Sequence, residues 1–226
     1  MSDNEPIPRK DLFEEYPSLL RELTVLMDER NKQTITLGNI WKAADGKYMQ
    51  DDALFHAISD RSVSLIDGFI RLIEKWNFVA AAALVRLQLD SMLRLYYIAQ
   101  HPTERHRILQ EWLGGAQFDK IKMMKDGKQQ MKDWNLCEEI KPIFPRVHDI
   151  YSELCDYVHL STKHLTLTAT SIEGRTVGFA ISSTKDHLPE DQYRKLLQMF
   201  IEFSRLINTA LDGWLSWKTI NLIEKR

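Results

Sequence analysis

Arg86, Asp90 and Arg94 stand four residues apart in the most apolar stretch of the chain, and Tyr97 and His101 extend the row. A four-residue step places side chains on one face of a helix. Two guanidiniums flanking a carboxylate can form an internal Arg–Asp–Arg ladder on that face. They can also line a polar pocket in which an anionic group is bound and the carboxylate orients the arginines. A second dense set is "DYVHLSTKH", Asp156 to His164, which holds an acid, a phenol, two histidines and two hydroxyls. Part of it suits an ordinary helix end, because a histidine is favoured at the C-terminus and hydroxyls satisfy loose backbone groups. As chemistry, His159 would serve as acid or base, with Arg86 and Asp90 completing a catalytic set. Arg94, Tyr97, Tyr151, Asp156, Ser161 and His164 would be the binding groups.

The two sets are expected to meet. A helix as apolar as the one carrying Arg86 has few solvent-facing sides, and buried charges need partners from a neighbour. Asp90 or Asp156 would orient His159, and Arg86 would hold a carboxylate or a bound anion. His148, Asp149, Asp156, His159 and His164 could together offer metal ligands. Their spacing matches no defined motif, so no metal and no cofactor is assigned. Cys155 lies on the apolar side of its helix and reads as a core residue.

The elements that position these residues follow from hydrophobic periodicity. A helix is expected from Arg9 to about Asn31, with Pro17 opening its main part. "TITLGNIWKAADGKYMQ" reads as a connection. A long helix from Asp51 to Trp76 carries apolar residues at three- and four-residue steps. Asn77 caps the next, "FVAAAALVRLQLDSMLRLYYIAQ", which should be central in a bundle. His101-Pro102 stops it. Thr103 would cap a short helix ended by Gly114-Gly115. Lysine- and methionine-rich residues 116–141 read as broken helices, and Pro142 to Val158 as a helix. "LTLTATSIEGRTVGFAIS" then alternates like a β-hairpin, about 165–183, turning near Glu173-Gly174-Arg175. Its apolar Leu165, Leu167, Val177, Phe179 and Ile181 should lean on the bundle, since an isolated hairpin is marginal. Pro189 opens a long last helix. The fold class is mainly α: about five to seven helices with one inserted β-hairpin. Residues 1–8 form a loose tail and 9–226 one domain.

Composition narrows the function classes. The formal net charge is −2, hydrophobic residues are 44% and there are two cysteines among 226 residues. Nothing pulls the chain globally toward nucleic acid, no disulfide framework is built, and no apolar run reaches a membrane span. A cytoplasmic protein is expected. There is no phosphate loop, dinucleotide fingerprint, nucleophile elbow or zinc-peptidase helix.

"ALVRLQLDSMLRLYY" and "YSELCDYVHLS" together resemble two signatures of a family of bacterial helical proteins, Arg-x3-Asp/Glu and Tyr-x2-Leu-Ser/Cys-x2-Val-His-x-Ser. The matching residues are Arg86, Asp90, Tyr151, Leu154, Cys155, His159 and Ser161. That family is distantly similar to the HEPN superfamily (higher eukaryote and prokaryote nucleotide-binding). The likeness implies a compact, often dimeric bundle, and many such proteins are ribonucleases of defence systems. Their Arg-x4–6-His element is matched in spacing here by Arg94 and His101; His159 has no arginine at that distance. Three functions stay open. The first is a binding or assembly module in a bacterial defence or stress system. The others are a metal-independent ribonuclease and a metal-dependent hydrolase. The partners implied are a second copy of the chain, through the aromatic residues Phe200, Phe203, Trp214, Leu215 and Trp217, and RNA or another anionic ligand. The lysines of 120–132 could furnish a basic groove.

Overall fold

The computed structural model describes residues 10–173 and 176–223. It is 75% helical with one two-stranded antiparallel hairpin, the mainly α architecture that the periodicity implies. The expected tail at 1–8 and the hairpin tip Gly174-Arg175 lie outside the described residues.

Four long helices make the core: α2 (Leu20–Lys42), α3 (Gln50–Glu74), α4 (Phe78–Gln100) and α9 (Glu190–Ile223). Each packs along two of the others in the order α2, α3, α4, α9 and back to α2. A short α1 (Leu12–Glu15) and a 3-10 turn at Pro17–Leu19 precede them. On the outer side of α4 lie α5 (Pro102–Leu113), α6 (Asp133–Ile140) and α7 (Val147–Val158). After α7 come α8 (Thr162–Thr168) and strands β1 (Ala169–Glu173) and β2 (Thr176–Phe179). α4 thus packs against α3, α5, α6, α7 and α9, and Ala81, Ala82, Val85, Leu89, Met92 and Leu93 are all buried on it.

Local chemistry explains the boundaries. Asn77 accepts a hydrogen bond from the Ala80 N–H at 3.3 Å and caps α4. Trp76, just before it, adopts φ 61°, a left-handed conformation that a bulky residue rarely takes. Its indole offsets that cost: it is buried, packs edge-on to Tyr16 and Tyr193, and donates to the Lys10 carbonyl at 2.9 Å. Pro102 occupies the first turn of α5, so His101 rather than Thr103 is the boundary residue.

Several expectations are corrected. α2 runs on through Lys42, although its second half holds β-branched residues and Gly38. Leu26, Gln33, Thr36 and Ile40 lie buried on one face, and this packing overrides weak propensity. α7 starts at Val147, after a turn, rather than at Pro142. Leu165 to Thr168 are helical, because Ser161 caps α8 and starts a turn that strand-like alternation does not reveal. The strands therefore begin at Ala169 and end at Phe179, inside the expected 165–183. Leu167 is buried, but Leu165, Val177, Phe179 and Ile181 are exposed, so the hairpin does not lean on the bundle through them. The last helix also differs in role. Phe200, Phe203 and Trp214 are in the core, and only Trp217 keeps substantial exposure. Phe200, Phe203 and Trp214 thus complete the interior, while Trp217 stays at the surface.

One buried ion pair closes the far end of the bundle. Lys218 on α9 lies 2.7 Å from the Asp52 carboxylate, with both side chains inaccessible. Asp52 also accepts from the Met49 N–H and the Trp214 indole, each at 2.8 Å, and Lys218 donates to the Ile40 carbonyl at 2.9 Å. Lys218→Ala would leave a buried carboxylate short of its cation and is expected to lower unfolding free energy by about 3–5 kcal/mol in urea titration. By contrast, Phe179→Ser on the hairpin should change stability by less than about 0.5 kcal/mol, because its side chain stands in water.

Candidate functional site

The stripe on α4 is built with a residue that the spacing did not reveal. Arg86 is paired with Asp133, the first residue of α6. Arg94 Nη2 stands 3.0 Å from the other oxygen of the same carboxylate, an ion pair without well-aligned hydrogen-bond geometry. Asp90 takes Arg94 on one oxygen, through the i,i+4 contact, and Arg61 of α3 on the other at 3.0 Å. Arg61 also donates to the Ser91 hydroxyl at 2.8 Å. The result is a continuous row, Arg86–Asp133–Arg94–Asp90–Arg61, in which three cations alternate with two anions. A ladder exists, but Asp133 joins its two α4 arginines.

Asp133 is delivered by a strap, residues 114–132, wrapped over α4 and α5. Ile121, Met123 and Met131 of the strap are buried. Tyr97 donates its hydroxyl to the Met123 carbonyl at 2.7 Å, and Arg107 donates to the Lys122 carbonyl at 2.7 Å. Tyr97 is therefore a tether for the strap, and burial pushes its phenol up to about 12. The lysines at 120, 122, 125, 128 and 132 are exposed, spread along the solvent side of the strap.

Burial sets the electrostatics. It works against the Arg86 charge, yet hydrogen bonding to Cys155 and Asp133 holds the guanidinium above its ordinary pKa. It also pushes Asp133 up, but the charge of Arg94 and the hydrogen bond of Arg86 reverse this and keep the carboxyl below the usual range. Tyr151 of α7 lies under the Arg86 guanidinium, 4.5 Å from ring centroid to Cζ. Desolvation and then Cys155 raise the Tyr151 phenol. Cys155 is partly buried and Cys137 fully buried, and burial pushes the Cys137 thiol up to about 12. Cys137 is therefore not presented as a ready thiolate nucleophile.

The second set does not meet the stripe as expected. Tyr151 and Cys155, which precede it on α7, reach Arg86, so α7 does face the stripe. Asp156, Ser161 and His164 are instead engaged in joining α7 to α8. Ser161 caps α8 through the Lys163 N–H at 3.2 Å and donates to the Asp156 carbonyl at 2.9 Å. The Ser161 N–H donates to His164 Nδ1 at 3.3 Å. The Asp156 carboxylate lies 3.5 Å from Lys163. His159 is the exposed C-cap of α7, and no hydrogen bond or ion pair among the described residues joins its ring to Arg86, Asp90 or Asp156. His101 stacks on Tyr97 at 4.1 Å and lies 3.9 Å from Glu139. Among the described residues no three His, Cys, Asp or Glu side chains cluster as metal ligands.

The open end of the row borders a cleft of about 490 Å³. Arg61, Asp90, Ser91, Arg94 and Asp119 line it together with Trp112 and Phe118, whose rings stack at 5.5 Å and 23°. The Arg94 guanidinium lies over the Phe118 ring, 5.9 Å from its centroid. The chain matches no protein-family model, no curated protein and no solved structure. The geometry itself therefore carries the functional reading. Arg61 is the accessible cation, its side chain 41% exposed, against 13% for Arg94 and 11% for Arg86. Sequence spacing could not expose Arg61, because its helix carries no other arginine before Arg71 and its partner lies 29 residues away.

Asp133→Asn should cost about 3 kcal/mol at pH 7, since it leaves two buried guanidiniums short of charge. The folded pKa lies below the unfolded value of about 3.9, so this contribution is present above that value and lost as pH falls through the folded pKa. Urea titrations at neutral and at strongly acid pH should show the wild-type advantage at the first and not at the second.

Proposed function

We propose that the protein is a binding module whose cleft takes an anionic ligand with a flat, base-like part, of the kind offered by a nucleotide or the end of an RNA strand. The observation that carries this reading is the meeting in one cleft of the Arg61 and Arg94 guanidiniums with the Trp112 and Phe118 rings, Arg94 Cζ lying 5.9 Å from the Phe118 centroid. A guanidinium binds phosphate or carboxylate with two parallel hydrogen bonds, and aromatic faces accept any base. The row holds three arginines and two aspartates, so it keeps one excess positive charge, and Asp119, which also lines the cleft, is paired with Lys120 at 3.3 Å. Arg94 and Arg86 are held by Asp133, which fixes the wall in advance of binding and lowers the ordering cost. Arg61 can exchange its contact with Asp90 for a ligand oxygen while remaining beside Ser91.

In this reading Arg86, Asp90 and Asp133 position the wall, Arg61 and Arg94 contact the anion, and His159 takes no part. The two thiols, both free, fit a reducing cytoplasm. A sensing or assembly role in a bacterial defence or stress system is the setting such a module would suit.

Titration with adenosine monophosphate tests this. Calorimetry should give saturable binding that weakens as salt rises, and inorganic phosphate should bind less tightly. Arg61→Ala should weaken binding by about tenfold or more with little change in unfolding midpoint, because its ion pair with Asp90 is partly solvated. Unchanged affinity in that variant, or no binding at all, would contradict the reading. Incubation with single-stranded RNA in chelator should leave it intact. Cleavage there would favour a metal-independent ribonuclease, and cleavage only with added divalent metal would favour a hydrolase.

A further inference from the structure

A second cavity, of about 320 Å³, lies between the C-terminal end of α4, the start of α5 and the second half of α9. It shares no lining residue with the Arg61 cleft. Its core is a stack of flat rings. Phe55 lies on Trp214 at 5.0 Å and 9°, and Trp214 on Trp217 at 4.8 Å and 13°. The stack cannot slide freely, because the Trp214 indole donates to Asp52, which is itself held by Lys218. Trp217 is the open end, 38% exposed.

Beside the polar Tyr96, Gln100 and Thr209, the cavity has one charged lining residue, Arg105, only 9% exposed. Its guanidinium lies 4.6 Å from the Trp214 ring and 5.3 Å from the Trp217 ring. Asp51 stands 2.7 Å from its Nε. A guanidinium carries five N–H donors in a fixed fork, more than one carboxylate can take up. The charges around it, Asp51 and Asp52 against Arg105 and Lys218, balance before any ligand arrives.

Gly213 completes the wall. It sits inside α9, where glycine weakens a helix relative to alanine. Gly213 is exposed while lining the cavity, and a Cβ built there would meet nothing within 4 Å, so close helix packing does not require glycine and a larger side chain has room beside the cavity.

We propose that this cavity binds a small planar aromatic carboxylate of one or two fused rings. The ring would extend the Phe55–Trp214–Trp217 stack and the carboxylate would meet the Arg105 fork. Offset stacking on an indole selects flat π-systems, a buried guanidinium selects a planar acceptor pair, and the volume lies at the small end of ligand pockets. The site is independent of the nucleotide reading of the Arg61 cleft.

The test uses the full chain and 2-naphthoate as probe, followed by calorimetry. Saturable binding below about 1 mM is expected, with cyclohexanecarboxylate, which has the acid but no aromatic ring, about tenfold weaker or more. Gly213→Leu should fill the cavity and weaken 2-naphthoate at least about tenfold, while the circular dichroism spectrum and unfolding midpoint are kept or improved. Gly213→Ala, which adds one methyl, should bind within a few-fold of wild type and confirm that size rather than the loss of glycine is responsible. Adenosine monophosphate at saturation should not displace the probe. No saturable binding of 2-naphthoate, equal binding of cyclohexanecarboxylate, unchanged affinity in folded Gly213→Leu, or displacement by adenosine monophosphate would each overturn the proposal.

Discussion

The charge on α4 is the constraint around which much of the structure is arranged. This helix is buried by α3, α9, α6 and α7, yet it carries two arginines and an aspartate at four-residue steps. A guanidinium cannot be neutralised at any ordinary pH, so it must be paired where it is buried. Asp133 supplies the missing anion for both arginines. To do so it must be brought to the outer side of α4, which is the task of the strap from Gly114 to Lys132. The strap is fastened by Ile121, Met123 and Met131 in the core and by Tyr97 and Arg107 on its backbone. Stability and candidate chemistry thus share the same groups.

This arrangement gives α4 two distinct polar environments. Along its length the row is closed and preorganised, with Tyr151 covering Arg86. At Arg61 the row opens into the cleft, where the last cation is half in water. A site that binds an anion needs both conditions, because fixed neighbours hold the field in place while an accessible cation makes the contact. At the other end of the bundle, Asp52 and Lys218 do a comparable job for the Trp214 stack. In both places a buried charged pair holds aromatic or cationic groups rigid beside a cavity.

Much of this was legible in the sequence. The 3.6-residue periodicity gave α3, α4 and α9 nearly to their ends, Asn77 marked a real cap, and Pro102 and Gly114-Gly115 bracket α5. The Arg86–Asp90–Arg94 face was also readable. What escaped was long-range. Asp133 opens a short helix in a lysine-rich region and looks like any first-turn acid until the strap is seen to fold back. Arg61 is one of many charges on an amphipathic helix. His159 looked catalytic from its neighbours in the chain, but Asp156, Ser161 and His164 form a local helix junction that needs no partner from α4. The hairpin and the α9 aromatics reversed roles for one reason: alternation and composition show which residues are apolar, not which apolar residues the core has room to cover.

The central claim is that Asp133 and the buried arginines of α4 form one coupled unit. A double-mutant cycle on Arg86→Met and Asp133→Asn, read by urea unfolding at neutral pH, addresses it most directly. The structure predicts a coupling energy of about 2–3 kcal/mol between the two positions. Effects that simply add, within about 0.5 kcal/mol, would contradict it.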